Sequence, residues 1–329
     1  MFNVKMSLPT AEEIKKLCPL SQQLEEKKAQ FDKEIAQNMA RRNKLTVVVG
    51  PCSADNPSAM SEYSQKLLAL QQSHPNLLVV ARVYTSKPHS NGNGYNGLCF
   101  QQKENEPCNI AQGIVACRKM MIDVLEKGLP VADELLFPQL YCYFDDVVSY
   151  WFLGARSSED SFHRSFASGL GCPCGIKNPT SGVLESAINS VRAASVPCVF
   201  PMNGTQVETS GNNLAHLVLR GGLDKNGFFQ NIDSESTAKC KRLLRAQGLC
   251  DFVMVDLSHA NSKKVAKNQL ENAVVAQDKN VDGVMAESYL FCGTSKDCYG
   301  VSKTDDCLDL ASTATLLDIL EQGFVQRQK

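Results

Sequence analysis

Eight short apolar runs along the chain each end in a residue able to bind charge or metal: Cys52, Arg82, Glu134, Arg156, Lys177, Arg220, His259 and Glu287. Arg82, Arg156, Lys177 and Arg220, gathered on one surface, would repel one another unless an anion neutralised them. A planar guanidinium pairs with two carboxylate or phosphate oxygens at once. The cations therefore predict a phosphorylated, carboxylated small molecule as ligand. Cys52, His259 and Glu287, with Asp305 downstream, offer a mixed sulfur, nitrogen and oxygen set suited to a divalent transition metal. Each comes from a different segment, so spacing along the chain does not test the grouping.

Gathering these residues requires a fold that brings strand ends together. The candidate strands are TVVVGPCS, LLVVARVY, VADELLF, YWFLGAR, CPCGIKN, PCVFPMN, LAHLVLRGG, DFVMVDLSHA and GVMAESYL. Between them SAMSEYSQKLLALQQS, AQGIVACRKMMIDVLEKG and GVLESAINSVRAAS repeat apolar residues at helical spacing. Such alternation predicts a parallel sheet, and about eight βα units predict an α/β fold of the (β/α)8 TIM-barrel type. Strand C-terminal ends then converge on one rim, where barrel enzymes build their sites. Nine runs leave one surplus strand, expected as an extra β-hairpin within residues 197–222, where MNGTQVETSGNN separates two apolar runs. Residues 10–43 are charged and helix-favouring, with Thr10 and Glu13 in capping-box spacing. The expected organisation is a helical extension over residues 1–44 and a barrel over residues 45–329.

Bulk properties narrow the function. With 34 basic and 35 acidic residues, the chain gives no electrostatic reason to bind nucleic acid or an anionic membrane. No apolar run reaches the roughly eighteen residues of a membrane span, and MFNVKMSLPTAEEIKK lacks the apolar core of a secretory signal, so a cytoplasmic protein is expected. The 14 cysteines are then expected to be reduced, with Cys117, Cys198 and Cys250 as small buried hydrophobes. There is no C-x-x-C pair, and Cys172 and Cys174 alternate along one candidate strand, which argues against structural zinc. The string GNGYNG, residues 92–97, has the glycine spacing of a dinucleotide fingerprint but no helical pattern after it. It reads as a loop at a strand end.

Taken together, VVVGPCSADNPSA, RVYTSKP, GARSSEDSFHR, ASGLGCPCGIKNPTSG, LRGG, DLSHANS, GVMAES and KTDDC resemble the class I 3-deoxy-D-arabino-heptulosonate 7-phosphate (DAHP) synthases, in their larger microbial-type branch. The similarity runs over residues 45–310. It implies condensation of phosphoenolpyruvate with erythrose 4-phosphate, the first step of the shikimate pathway. Carried over by motif, the metal ligands are Cys52, His259, Glu287 and Asp305, with Asp306 the less favoured of the two aspartates because T-D-x-C places its aspartate after the threonine. The metal is manganese, iron, cobalt or zinc, and no organic cofactor is implied. Phosphoenolpyruvate contacts are Arg82, Lys87, Gly154, Ala155, Arg156, Lys177 and Arg220. Lys87, Glu134, Lys177 and His259 carry the chemistry, with Glu134 and Lys177 as alternative proton-transfer groups. The extension implies a homodimer or homotetramer and an aromatic amino acid effector.

One motif departs from the family. The loop expected to grip the aldose phosphate reads K-P-R-[ST] there and Lys87-Pro88-His89-Ser90 here. The acceptor set becomes Lys87, Pro88, His89, Ser90 and Asp305. An imidazole is mostly neutral at pH 7, so a permanently charged fork is missing. Two other readings follow: a different, unphosphorylated acceptor, or a non-catalytic paralogue kept for binding or regulation.

Overall fold

The computed structural model describes residues 1–88, 94–102 and 107–328. Two helices open the chain, α1 (Ala11–Leu17) and α2 (Gln22–Arg41). Then follow β1 (Leu45–Gly50), α3 (Pro57–Gln72), β2 (Leu77–Arg82), α4 (Ile110–Lys127), β3 (Val131–Glu134), a 3-10 turn (Pro138–Tyr143) and β4 (Val148–Leu153). Next come α5 (Ser161–Ala167), β5 (Cys174–Lys177), α6 (Leu184–Ser195), β6 (Val199–Met202), β7 (Thr205–Glu208) and β8 (Ala215–Leu219). The last elements are β9 (Gly222–Asp224), β10 (Gly227–Phe229), α7 (Ser234–Ala246), β11 (Val253–Asp256), α8 (Asn268–Val275), β12 (Gly283–Glu287) and α9 (Leu310–Gln328). Eight strands close a parallel barrel in the order β1, β12, β11, β8, β5, β4, β3, β2, so the predicted (β/α)8 fold is the one observed.

The surplus run is PCVFPMN, which leaves the barrel to form the β6/β7 hairpin. Its residues alternate between exposed and half-buried, whereas β1, β2 and β4 are buried at every position. Pro201 would also remove a ladder donor from a central strand. Asn203 and Gly204 both have positive φ, 50° and 77°, the two-residue turn that matches hairpin twist. A second hairpin, β9/β10, was not expected, because three-residue strands are too short to carry a periodic signal.

Strand alternation divides the core in two. Val48, Val80, Ala132, Phe152, Val218 and Met285 fill the barrel interior, while Val47, Val49 and Val79 pack outward against the helices. Ile35 and Met39 of α2 belong to the interior cluster, so this helix closes one end of the barrel. The capping box on α1 forms as predicted: Glu13 N–H donates to Thr10, and the Glu13 carboxylate accepts from Thr10 N–H. Arg118 of α4, wholly buried, holds the extension down by donating to the Cys18 and Tyr143 carbonyls and, in bidentate fashion, to Asp146 at 2.6 and 2.7 Å. Every cysteine is a free thiol. Cys117 is buried as expected, but Cys198 and Cys250 are only half-buried, since they lie beyond the barrel core at the ends of β6 and β11. Strand β5 starts at Cys174 and leaves Cys172 outside it.

A titratable group sits inside the barrel and makes a testable prediction. His216 Nδ1 lies 2.9 Å from the Leu214 carbonyl and Nε2 lies 2.7 Å from the Tyr150 hydroxyl. The carbonyl only accepts, so Nδ1 carries the proton and Nε2 accepts from Tyr150. Burial pushes the imidazole down to about 4. The unfolded chain, with an ordinary histidine near 6.5, therefore binds more protons between pH 4 and 6.5. Stability should fall as pH drops through that window, by up to about 3 kcal/mol, and level off below it. Urea unfolding at stepped pH should show this slope in the native protein and lack it in His216→Asn.

Candidate active site

A cavity of about 490 Å³ opens at the C-terminal ends of the barrel strands. Its lining falls into two arcs that follow the strand order. One arc comes from β3, β4, β5 and β8: Glu134, the Gly154–Arg156 segment, Lys177 and Arg220. The other comes from β2, β11 and the segment after β12: Lys87, Pro88, His259, Lys264, Lys303 and Asp305. His89 and Ser90 lie outside the described residues. A larger cavity of about 680 Å³ between α1 and α4 is lined mainly by apolar residues such as Ile14, Leu17, Val115 and Ala116, with Glu13 and Lys119 as its charged members. The polar cavity is the one with the means for chemistry.

Close packing fixes the first arc. A side chain at Gly154 would place its Cβ 2.1 Å from Glu134 Oε1, so glycine alone lets the carboxylate lie against that loop. Glu134 is steadied from behind by Asp133, whose carboxylate accepts from the Glu134 and Thr85 backbone N–H groups and from the Thr85 hydroxyl. Burial pushes Asp133 up to about 7 despite those bonds. Lys177, 3% exposed, donates to Asp256 at 2.9 Å. Arg220 is set by its backbone N–H, donated to Asn178 Oδ1 at 2.9 Å, and by Gly221 at φ 73°, where a Cβ would lie 2.7 Å from the Asn261 amide oxygen. Burial, with Arg156 nearby, lowers the Arg220 guanidinium from its ordinary value, and Arg220 Nε is buried without a partner among the described residues.

The second arc surrounds a cluster of donors. Ligand atoms of Cys52, Glu287 and Asp305 all lie within 4.8 Å of one another. His259 stands just outside that spacing, with Nε2 3.8 Å from Glu287 Oε1. Its ring is oriented by Asp256, 2.8 Å from Nδ1, and the carboxylate can only accept. Nδ1 therefore carries the proton, and the Nε2 lone pair is left on the Glu287 side. The backbone at His259 is left-handed, φ 54°, an uncommon conformation that functional residues often hold. Of the adjacent aspartates, Asp305 lines the cavity, whereas Asp306 accepts from the Gly293 and Ala266 backbone N–H groups. Lys87 Nζ sits 2.9 Å from the Cys52 carbonyl and 3.2 Å from its sulfur. Arg82 is fully buried and does not line the cavity. Its guanidinium lies beneath, donating to Glu287 at 3.0 Å and to the Pro51 and Cys52 carbonyls.

With that geometry in hand, a family model described as the DAHP synthetase I family matches residues 25–321. The chain belongs to the DAHP synthetase I family. It is 36% identical to the phospho-2-dehydro-3-deoxyheptonate aldolase, Phe-sensitive, of Escherichia coli K12, over 87% of this chain and 85% of the relative. The Tyr-sensitive aldolase of the same organism is 36% identical over 96% and 93% of the two chains. The solved phospho-2-dehydro-3-deoxyheptonate aldolase of Francisella tularensis SCHU S4 superposes with a TM-score of 0.91 at 32% identity, covering 99% of this chain and all of that one. The expectation of an enzyme of this family, on a (β/α)8 barrel, is borne out.

The donor cluster of this DAHP synthetase I family member fits a divalent metal. Burial raises the Glu287 and Asp305 carboxyls, but the His259 ring, Arg82 and Lys87 at Glu287 and Lys264 at Asp305 bring both below their ordinary values. Two anionic oxygens are thus ready to bind. Burial, reinforced by Glu287, raises the Cys52 thiol. A bound dication reverses that balance and deprotonates a coordinating thiol.

Sequence reading missed the supports of the site. Asn178, Asn231 and Asn261 form one network, Asn178 Oδ1 accepting from Asn231 at 3.1 Å and Asn261 donating to the Asp256 carbonyl at 2.7 Å. The only signal is the place of Asn178 inside GIKN and Asn261 inside SHAN; Asn231 lies in neither motif. Lys264 and Lys303 were also missed, because neither ends a strand. Among the described residues, no helix is long and apolar enough to cross a membrane. Residues 94–102, which hold the last four residues of GNGYNG and the segment after it, contain no helix, in keeping with a loop.

Proposed function

We propose that this protein condenses phosphoenolpyruvate with erythrose 4-phosphate to give 3-deoxy-D-arabino-heptulosonate 7-phosphate and inorganic phosphate, the entry step of the shikimate pathway. The single observation that carries this reading is the convergence of Arg156, Lys177 and Arg220 on one cavity, opposite the Cys52, Glu287 and Asp305 donors. A phosphate and carboxylate would bind the first arc, with the partnerless Arg220 Nε as one donor. Gly154 and Ala155 let the ligand approach the backbone of that arc. Lys87, where the second arc meets the first, is placed to contact both substrates. Arg82 acts from beneath, keeping Glu287 anionic and the Cys52 backbone in place.

In the reaction the methylene carbon of phosphoenolpyruvate forms a bond to the aldehyde carbon of the acceptor. Water adds at C2, and phosphate then departs from C2 with its bridging oxygen. Glu134 and Lys177, both against that end of the cavity, are the groups placed to take and return protons. A divalent ion held by Cys52, His259, Glu287 and Asp305 supplies Lewis-acid polarisation of the aldehyde when bound. The donor types suit manganese, iron, cobalt or zinc. The bond from Nδ1 to Asp256 fixes the tautomer of the neutral His259 ring, which presents Nε2 as the donor atom.

The relatives named Phe-sensitive and Tyr-sensitive support an aromatic amino acid as effector. A homodimer or homotetramer formed through residues 1–44 is supported by the exposed Phe2, Val4, Met6, Leu8 and Leu17. The test is phosphate release and phosphoenolpyruvate loss by manganese-loaded protein, offered erythrose 4-phosphate or erythrose. Turnover of the phosphorylated aldose is expected. Preference for erythrose would point to another acceptor, and no turnover with either would point to a non-catalytic paralogue.

A further inference from the structure

The proposed reaction brings two phosphate groups into one cavity, and the cations of the first arc account for one of them. In the other arc Asp305 lines the cavity, with Glu287 beside it in the donor cluster and Asp55 behind Lys303. A second phosphate entering there needs cations to offset those carboxylates. The guanidinium that the K-P-R-[ST] pattern would supply is replaced by His89 in the sequence, and Lys87 is already engaged with Cys52.

Two lysines occupy the outer wall of this arc. Lys264 Nζ lies 3.4 Å from Asp305 Oδ1, with its side chain half exposed. Lys303 Nζ lies 3.7 Å from Asp55 Oδ2 and 5.1 Å from the centre of the Tyr95 ring, with its side chain 22% exposed. Both line the cavity. Both ion pairs are longer than a good hydrogen bond, so each ammonium retains donor capacity for a stronger anion. They enter from different segments, one after β11 and one before α9.

We infer that Lys303, together with Lys264, is the clamp for the distal phosphate of the acceptor. The inference rests on the proposed condensation and names what makes it specific for a phosphorylated aldose. With the acceptor aldehyde at the Cys52, Glu287 and Asp305 cluster, its far end would lie in the cavity that both lysines line. A compact ammonium pair is less demanding of angle than a guanidinium fork, which suits a flexible aldose chain.

The test compares Lys303→Met, Lys264→Met and Lys303→Arg in steady-state kinetics with phosphoenolpyruvate and either erythrose 4-phosphate or erythrose. Each methionine variant should raise KM for erythrose 4-phosphate roughly ten- to hundred-fold, with a much smaller change in KM for phosphoenolpyruvate. The ratio of kcat/KM for the phosphorylated over the unphosphorylated aldose should fall by a similar factor, and Lys303→Arg should restore most of it. An unchanged KM for erythrose 4-phosphate in both methionine variants, or an equal loss with the two aldoses, overturns the clamp. Loss of the underlying reaction is a separate result, visible as native protein that uses neither aldose.

Discussion

Cys52→Ala is expected to lower phosphate release by a factor on the order of 10² to 10³, and to lower bound manganese in parallel, without unfolding the barrel. Cys52 follows β1, is fully buried, and offers the only sulfur in the cluster with Glu287 and Asp305. Its backbone is held independently of its side chain: the N–H donates to Cys307 Sγ at 3.3 Å, and the carbonyl accepts from Arg82 and Lys87. The substitution therefore removes a donor and leaves the strand end in place. Cys52→Ser, which keeps a harder donor at nearly the same position, should retain more activity and shift preference away from thiophilic metals. Metal content per chain and far-UV circular dichroism separate this outcome from simple unfolding. Full metal content with full activity in Cys52→Ala would remove the cysteine from the proposed site.

The second large effect is expected at Lys177. Its ammonium and the Asp256 carboxylate are both almost wholly buried, and Asp256 also orients His259. Burial would raise the Asp256 carboxyl, yet His259, Lys177 and the Ser258 hydroxyl hold it well below the ordinary range. Lys177→Met removes the ammonium partner of that buried carboxylate and leaves it to His259 and Ser258, a loss of up to about 3–5 kcal/mol of folding stability when one member of a buried pair is removed. It also deletes a cation from the proposed phosphoenolpyruvate wall and one of the two proposed proton-transfer groups. The expected drop in kcat is on the order of 10² to 10⁴, with a raised KM for phosphoenolpyruvate. Denaturant unfolding gives the first quantity and kinetics well below the transition give the second. A variant that loses stability but keeps native kcat and KM would make Lys177 a structural member only.

The barrel is legible in the sequence because buried parallel strands are continuous apolar runs and the helices between them carry a clear period. The same logic fails at PCVFPMN, an apolar run that tertiary context turns into a half-exposed hairpin, although Pro201 and the Asn203–Gly204 turn mark it. The candidate site is legible wherever one of its residues closes a strand, as at Glu134, Lys177 and Glu287, because the barrel itself carries those ends to one rim. It is illegible where position depends on side-chain direction. Arg82 ends β2 as Lys177 ends β5, yet Arg82 turns beneath the cavity and stacks 3.7 Å over Tyr84, whereas Lys177 lines it. Lys303 and Lys264 reach the site from loops, where no periodicity announces them. The left-handed backbone at His259 and the asparagine network behind Arg220 are likewise set by contacts between distant segments.

The central claim is that a carbon–carbon bond forms as phosphate leaves, and product analysis tests it most directly. Phosphoenolpyruvate labelled with carbon-13 at its methylene carbon would be incubated with erythrose 4-phosphate and the manganese-loaded protein, then followed by carbon NMR and phosphate assay. The predicted result is one inorganic phosphate per phosphoenolpyruvate consumed, with the label in a ring methylene bonded to the former aldehyde carbon of a seven-carbon acid. Phosphate release accompanied by labelled pyruvate, with the aldose unchanged, would contradict it.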